Sequence, residues 1–399
     1  GRHPTESNLD AAGEPVGGGT RESRQKYRYD ARSRVGLSRW THRWTHRWGT
    51  SASPHAFLTK SLPLWYASVA PVDIFPIMYI PDNETIAKVE VLADLEQDVA
   101  DLTVAHEAKR ILWFPSELLA PEPDTDPDAF VKQLRERAKG ISMPARVALA
   151  LNTLTEEGLP HFHRLLATYL GGDTFWAKWT NLWTAEEDRH GAVLHDYAHD
   201  SKILDNPVLE RMQFEYLKAG FEPTWDKDPY RVFVYTSLQE KATQVSHANT
   251  GKLAGQYEPL IGTVLQNVAK EEARHYVFYR EIFLRVLARD PNRALESAAL
   301  IMPSIDMPGI SMPHFREMAD VIRRAGIYGP RDYIKIVEDL IKFWSIDKIE
   351  GLNEAGRKAQ EKIMAITERL ERVANMMETR SRAKTFAFNV AFAREFAME

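Results

Sequence analysis

The stretch TAEEDRH, Thr184 to His190, places Glu187 three residues ahead of His190. On a helix, residues three apart share a face, so that carboxylate and that imidazole can reach one ion. A single Glu-x-x-His proves little, because Glu, Arg and His are ordinary on exposed helices. The arrangement returns in KEEARH, where Glu272 precedes His275. Upstream of each copy stands a lone glutamate in an otherwise apolar segment, Glu156 in LNTLTEEGLPHFHRLLATYL and Glu240 in RVFVYTSLQEKATQVSH. Glu156 precedes Glu187 by 31 residues (187 − 156), and Glu240 precedes Glu272 by 32 (272 − 240). Two halves of the chain therefore follow one plan: a helix with one Glu, a turn, then a helix with Glu-x-x-His. Burying an unpaired carboxylate in such a helix is costly. The plan therefore brings four carboxylates and two imidazoles together at the centre of a bundle.

Composition narrows the chemistry. The 399 residues are 44% hydrophobic and 27% charged, a soluble globular balance with room for a large core. A net charge of -5 lacks the basic footprint of nucleic-acid binding. The chain has no cysteine, which excludes disulfides, zinc-thiolate sites, thiol nucleophiles and protein-held iron–sulfur clusters. Any metal must sit on His, Asp or Glu, a donor set that suits iron or manganese. Electrons, where needed, come from a separate partner or a bound cofactor.

From Asn83 onward apolar residues recur every three or four positions, with Pro and Gly marking the breaks. The pattern predicts long helices over 84–111, 143–170, 174–200, 230–256 and 259–289. Shorter ones fall at 127–139, 207–219, 313–325, 331–344 and 353–377, and strand signals are nearly absent. The fold class is all-α: a four-helix bundle with additional helices and the metal site in its core. One Glu from each of two helices and Glu-x-x-His from each of the other two is the inventory of ferritin-like di-iron and di-manganese proteins. Two divalent ions would balance four carboxylates, leaving the buried site near neutral. A bundle whose charges merely pair with Arg189, Arg274 and Lys241 leaves the matched spacing unexplained. Glu186 and Glu271 lie one residue off the ligand face, behind the ligands or on the surface. His161, His163, His195, His199 and His247 have no repeat partner and read as surface or packing residues.

Residues 1–55 read as a disordered or targeting region. They contain GEPVGGG, the tandem RWTHRWTHRW, and nine Lys or Arg against Glu22 and Asp30 between Arg21 and Arg47. The basic run resembles an organellar presequence, while a flexible tail or sequence upstream of the true start are the other readings. A presequence would place the protein in the plastid stroma; otherwise a bacterial cytoplasm fits. The apolar run LPLWYASVAPVDIFPIMYIP from Leu62 is broken by four further prolines and Asp73, so it is not a membrane span; residues 56–83 read as an extended arm. The main domain is then 84–345, with 346–399 a C-terminal helical extension of it.

At the level of motifs the chain resembles the soluble acyl-acyl-carrier-protein desaturases, the plant stearoyl-type enzymes and their bacterial relatives. The likeness lies in TEEGLP, WTAEEDRHG, YTSLQEKAT, EEARH, GIYGPRDY and GLNEAGRKAQ, and spans roughly Glu84 to Arg380. It implies two iron ions, with Glu187 and Glu272 bridging them, Glu156 and Glu240 as terminal carboxylates and His190 and His275 as terminal imidazoles. It implies that Thr243 stands beside the oxygen-binding face. It also implies that Trp113 joins a hydrogen-bond chain from the surface to a ligating histidine, through a position where the family usually has Asp and this chain has Glu271. The activity implied is oxygen-dependent insertion of a cis double bond into an acyl chain on acyl carrier protein, with electrons from a ferredoxin-type donor, in a homodimer. Channel positions fall on Leu165, Thr168, Tyr169, Pro223 and Phe233. Members accepting longer chains usually carry a smaller residue where this chain has Tyr169, so the expected substrate has about sixteen carbons or fewer. Arg135, Arg137, Lys139 and Arg280 are candidates for docking the acidic carrier. Competing readings are another di-iron oxygenase, such as a hydroxylase or radical-generating subunit, and a non-enzymatic iron-storage or binding protein.

Overall fold

The structure is a computed structural model in which residues 82–399, less 173, 305 and 306, are described. The basic N-terminal run and the Leu62 segment lie outside the described residues. In chain order the helices are α1 (Asn83–Asp94), α2 (Glu96–Lys109), α3 (Pro115–Leu118), α4 (Pro127–Ala138), α5 (Met143–Glu156), α6 (Leu159–Tyr169), α7 (Phe175–Ser201), α8 (Asn206–Ala219), α9 (Pro229–Ala254), α10 (Pro259–Arg289), α11 (Pro291–Ile301), α12 (Phe315–Arg324), α13 (Pro330–Phe343), α14 (Glu354–Met364) and α15 (Ile366–Thr379). A hairpin of β1 (Lys384–Phe388) and β2 (Ala393–Met398) follows.

Acid-and-proline pairs start several of these helices. Asp126, Asp205, Asp228, Glu258 and Asp290 each accept a first-turn backbone N–H, with a proline just inside α4, α8, α9, α10 and α11. The acid satisfies an orphan donor, while proline supplies a helical φ and lacks an N–H that would have no partner. Helices α5, α7, α10 and α9 then pack in a ring, each against the next and α9 back against α5, with α2 laid over α7 and α10.

Two apolar clusters fill the interior. One gathers Trp183 of α7, Ala242 of α9 and Tyr276 of α10. The other gathers Leu154 of α5, Val193 of α7, Ala254 of α9 and Val268 of α10. Glu187 and His190 fall between Trp183 and Val193, and Glu272 and His275 between Val268 and Tyr276. The polar centre is thus sandwiched between two apolar layers.

Several boundaries differ from the sequence pattern. The predicted helix 143–170 breaks after Glu156, since Gly158 begins a new N-terminus and Pro160 cannot continue the backbone ladder. That break has a packing reason: a Cβ at position 158 would lie 2.7 Å from the Tyr216 ring. The predicted 84–111 and 353–377 are also divided, at Leu95 and Ala365. Helix α11, hidden behind Pro291, was not foreseen. The C-terminal extension is helical only to Thr379; beyond it the alternation in Thr385-Phe386-Ala387-Phe388 makes a strand, paired Phe386 to Phe396. No helix among the described residues is long and apolar enough to cross a membrane.

The turn between α9 and α10 brings backbones together, with an added Cβ on Gly262 only 3.0 Å from the Gly255 Cα. Alanine in a helix gains up to about 1 kcal/mol over glycine, but overpacking against backbone costs about 1–3 kcal/mol. Gly262→Ala is therefore expected to lower the denaturation midpoint in urea; a midpoint at or above that of the unaltered protein would contradict this packing.

Candidate metal centre

Glu156 ends α5, Glu187 and His190 lie mid-way along α7, Glu240 on α9, and Glu272 and His275 on α10. All six residues are buried, none more than 7% exposed. Their ligand atoms form two groups, Glu156–Glu187–His190–Glu272 and Glu187–Glu240–Glu272–His275, each with its atoms within 4.8 Å of one another. Glu187 and Glu272 belong to both groups.

The hydrogen bonding around this cluster fits a cation. His190 Nε2 is 3.1 Å from Glu271 Oε2, and His275 Nε2 is 2.9 Å from Glu186 Oε2. An ionised carboxylate only accepts, so each Nε2 carries the proton and each Nδ1 turns a lone pair inward. His275 Nδ1 faces Glu187 Oε1 at 2.8 Å, and His190 Nδ1 faces Glu187 Oε2 and Glu272 Oε1 at 3.3 Å each. Glu187 Oε1, Glu240 Oε2 and both Nδ1 atoms are buried without a hydrogen-bond partner. Lone pairs facing lone pairs in a dry core are what a bound ion would satisfy.

Protons fill that role when metal is absent. Burial and the charges of Glu272 and Glu187 push the Glu240 carboxyl well above its ordinary range. Burial and Glu272 likewise raise Glu187. Burial alone would lower His190 and His275, but the surrounding glutamates win and hold both well above the ordinary imidazole range. Glu272, buried as well, is held well below its usual range by the His190 and His275 imidazoles beside it. Metal must therefore displace protons from this cluster.

An outer ring of charge holds the histidines. Glu186 accepts from His106 Nε2 at 2.9 Å and Arg110 Nη1 at 3.4 Å in addition to His275. Glu271 accepts from Arg189 Nη2 at 2.9 Å and Arg274 Nη2 at 3.0 Å in addition to His190. Both glutamates sit behind the ligands rather than on the surface. His247 corrects the sequence expectation: it is buried, with Nε2 2.7 Å from Glu156 Oε1 and Nδ1 toward Asn152. Its signal was spacing, since it follows Glu240 by seven residues (247 − 240), two helical turns on one face.

A cavity of about 670 Å³ opens beside the cluster. Leu151, Ala242, Met307, Phe315 and Ile322 give it apolar walls, and Thr155 and Thr243 lie along it. The same two threonines line a cleft of about 20 Å³ with Glu156, Glu187 and Glu272, closed by Leu159, Phe162, Trp183 and Gln239. The large cavity thus lies against the cleft that holds the candidate metal ligands.

The profile described as fatty acid desaturase matches residues 87–392. The chain belongs to this desaturase family. It is 33% identical over 329 residues to the chloroplastic stearoyl-acyl-carrier-protein 9-desaturase of Gossypium hirsutum, covering 77% of this chain and 82% of that protein. To the chloroplastic palmitoyl-acyl-carrier-protein 4-desaturase of Coriandrum sativum it is 34% identical over 303 residues, 71% of this chain and 78% of that one.

Other residues implied by the desaturase likeness are placed as follows. Thr243 Oγ1 lies 3.3 Å from Glu272 Oε2 and 3.0 Å from the Glu240 carbonyl, so its single hydrogen can be given to either. The Trp113 ring stacks parallel to His190 at 6.1 Å, and its carbonyl accepts from Arg189 Nη1 at 2.6 Å. Its indole Nε1 has no hydrogen-bond partner. The polar route from Trp113 to His190 therefore runs through Arg189 and Glu271, whose longer side chain reaches the imidazole directly.

Leu165 and Phe233 are buried in the core, Tyr169 packs half-buried against it, and Pro223 is half-buried ahead of α9. Thr168 is exposed, its hydroxyl on the Arg164 carbonyl. None of these five lines either cavity. The expected docking cations are engaged elsewhere: Arg135 with the Asp200 carbonyl, Arg137 with Glu258, Lys139 with Glu136, and Arg280 over the Tyr276 and Phe343 rings. His163, His195 and His199 pair with Thr184, Glu157 and Asp200, and His161 packs edge-on against Tyr216.

Because Glu187 serves both groups and Glu240 one, Glu187→Ala should remove most bound ferrous iron while Glu240→Ala removes about half; undiminished iron in Glu187→Ala, by elemental analysis, refutes the assignment. Glu186→Gln and Glu271→Gln should weaken iron binding about 10–100-fold, read by competition with a chelator. Iron affinity should also fall as pH drops, since His190 and His275 are protonated below their raised pKa values and release Nδ1 only as pH rises through them.

Proposed function

We propose that this chain is an acyl-acyl-carrier-protein desaturase that inserts a cis double bond into a saturated acyl chain. The observation that carries the reading is a pair of buried ligand groups sharing Glu187 and Glu272 beside an apolar cavity. The names of its relatives, at a third identity over most of both chains, support the substrate class. In balance, two hydrogens from adjacent methylenes, dioxygen, two electrons and two protons give one alkene and two waters. A chain without cysteine holds no iron–sulfur cluster of its own, so the electrons come from a separate donor, of the ferredoxin type that the desaturase likeness implies.

Two iron ions suit the oxygen-and-nitrogen donor set, with Glu156 and His190 on one, Glu240 and His275 on the other, and Glu187 and Glu272 common to both. When bound, the iron pair supplies activation of dioxygen for attack on an unactivated methylene. The chain's residues do the rest. Glu186 and Glu271 hold the Nε2 protons of His275 and His190 and so fix the imidazoles. Thr243 holds its hydroxyl proton at the end of the cavity, beside Glu272. Leu159, Phe162 and Trp183 exclude water from the cleft.

The relatives include stearoyl and palmitoyl enzymes at nearly equal identity, so likeness alone does not choose a chain length. Tyr169 lies seven residues beyond Phe162 on α6, about 10 Å further along the helix. Its bulk there is the basis for proposing a substrate of about sixteen carbons or fewer.

The test is to load the protein with ferrous iron and supply saturated acyl-carrier-protein substrates of graded length with ferredoxin, its reductant and oxygen. Mass spectrometry should find alkene, formed faster from palmitoyl than stearoyl chains, and Tyr169→Leu should shift the preference to longer ones. No alkene from any chain, with both irons bound, would sink the desaturase reading. Faster turnover of stearoyl chains, unchanged in Tyr169→Leu, would remove the length assignment alone.

A further inference from the structure

Three of the chain's ten tryptophans fall in the stretch Trp176 to Trp183 of α7, at 176, 179 and 183. Spacings of three and four put their rings on one helix face. All three are buried, and Tyr279 of α10 is buried beside Trp179. Core packing accounts for their bulk but not for what their N–H groups touch. An indole N–H only donates. Trp183 Nε1 lies 3.2 Å from Oε1 of Glu240, whose Oε2 faces His275 Nδ1 at 3.7 Å. Trp179 Nε1 donates to the Tyr279 hydroxyl at 3.2 Å. Both indole rings stand edge-on to the His275 imidazole, with centroids 6.3 and 6.4 Å away. Trp176 continues the row to α1, where its Nε1 donates to the Leu92 carbonyl. The helix rises about 10 Å between Trp183 and Trp176, so the row begins at the candidate metal ligands and ends well away from them.

We propose that Trp183 and Trp179 are a redox store, giving electrons to the metal centre when oxygen arrives and no acyl chain is in place. The inference rests on the oxygen-dependent reading above and adds a second activity, reduction of dioxygen to water without damage to the ligands. Dioxygen needs four electrons and four protons to become two waters. The separate donor supplies two of the electrons, and in desaturation the other two come with the hydrogens of adjacent methylenes. Without a chain the two indoles complete the balance. Each is oxidised by one electron while its N–H proton stays in the hydrogen bond to Glu240 or Tyr279. All four protons then come from solvent, and two later donor electrons return both rings to their starting state. In a chain without cysteine, indole and phenol rings are the side chains that most readily give up a single electron. Their edge contact with His275 lets that electron pass with little atomic movement, and it spares the glutamates and imidazoles whose oxidation would release the ions.

The test reads a radical instead of an alkene. The full chain, loaded with ferrous iron that supplies the first two electrons, is mixed with oxygen in the absence of acyl carrier protein, rapidly frozen and studied by electron paramagnetic resonance. An organic radical is expected, with lines that narrow when the protein is made with ring-deuterated tryptophan. Trp179→Phe and Trp183→Phe, compared at equal iron content, should each lose most of that signal. Trp344→Phe, at a tryptophan buried against Phe283 and the Arg280 carbonyl, should keep it. Absence of a radical, a radical unmoved by the deuterium, or one that survives both α7 substitutions overturns the proposal. Alkene formation is scored separately with acyl carrier substrates. A tryptophan radical without alkene from any chain removes the desaturase reading alone, and alkene without a radical removes the store alone.

Discussion

Four carboxylates brought to one point in the middle of a helical ring repel one another, and none can be left in a dry core without compensating charge. Much of what surrounds them answers that constraint. His190 and His275 present nitrogen lone pairs to the same point, and the proton on each ring's far side is taken by a further glutamate, 271 or 186. Those two glutamates are buried in turn and lean on Arg189 and Arg274 in one case, on His106 and Arg110 in the other. Charge alternates outward from the centre in layers, negative, basic, negative, positive, until it reaches the rim of the bundle. The apolar clusters on either side can be continuous because these layers keep the polar groups paired among themselves.

The pairing follows the internal repeat, but only to its third layer. Glu186 and Glu271 occupy the same place in the two Glu-Glu motifs and perform the same service for opposite histidines. Beyond them the halves part company. One side ends in Arg274 and in Arg189 laid over Trp113, the other in Arg110 and an imidazole stacked at 5.7 Å on His275. The repeat therefore constrains the ion-binding centre strictly and leaves its outer supports free to diverge.

How much of this was legible depended on whether a residue's neighbours are set by helical period or by tertiary contact. Glu156, Glu187, His190, Glu240, Glu272 and His275 were readable because spacing of three along a helix and about 31 between helices fixes both face and partner. The break at Gly158 has a sequence signal in Pro160, but its packing reason, the Tyr216 ring arriving from α8, is set by tertiary contact. The C-terminal hairpin went unread in a strongly helical context, although Phe386 and Phe388 alternate as strand residues do. The cations lining the large cavity were out of reach altogether: Arg316, Arg380 and Lys384 are ordinary surface letters until α12 and the α15–β1 corner are brought together. Channel residues suffered the same limit, since Thr168 and Leu165 lie on one short helix and yet face solvent and core respectively.

Thr155 and Thr243 belong to the wide cavity and to the narrow cleft alike. Any way in for a greasy chain between them is also a way in for water. An occupant threaded between those two hydroxyls works as a stopper, closing off the ligands by its own presence. Leu159, Phe162 and Trp183 shut the cleft from behind, so the occupant only completes the seal, and a chain too short to pass the pair leaves the bottle uncorked.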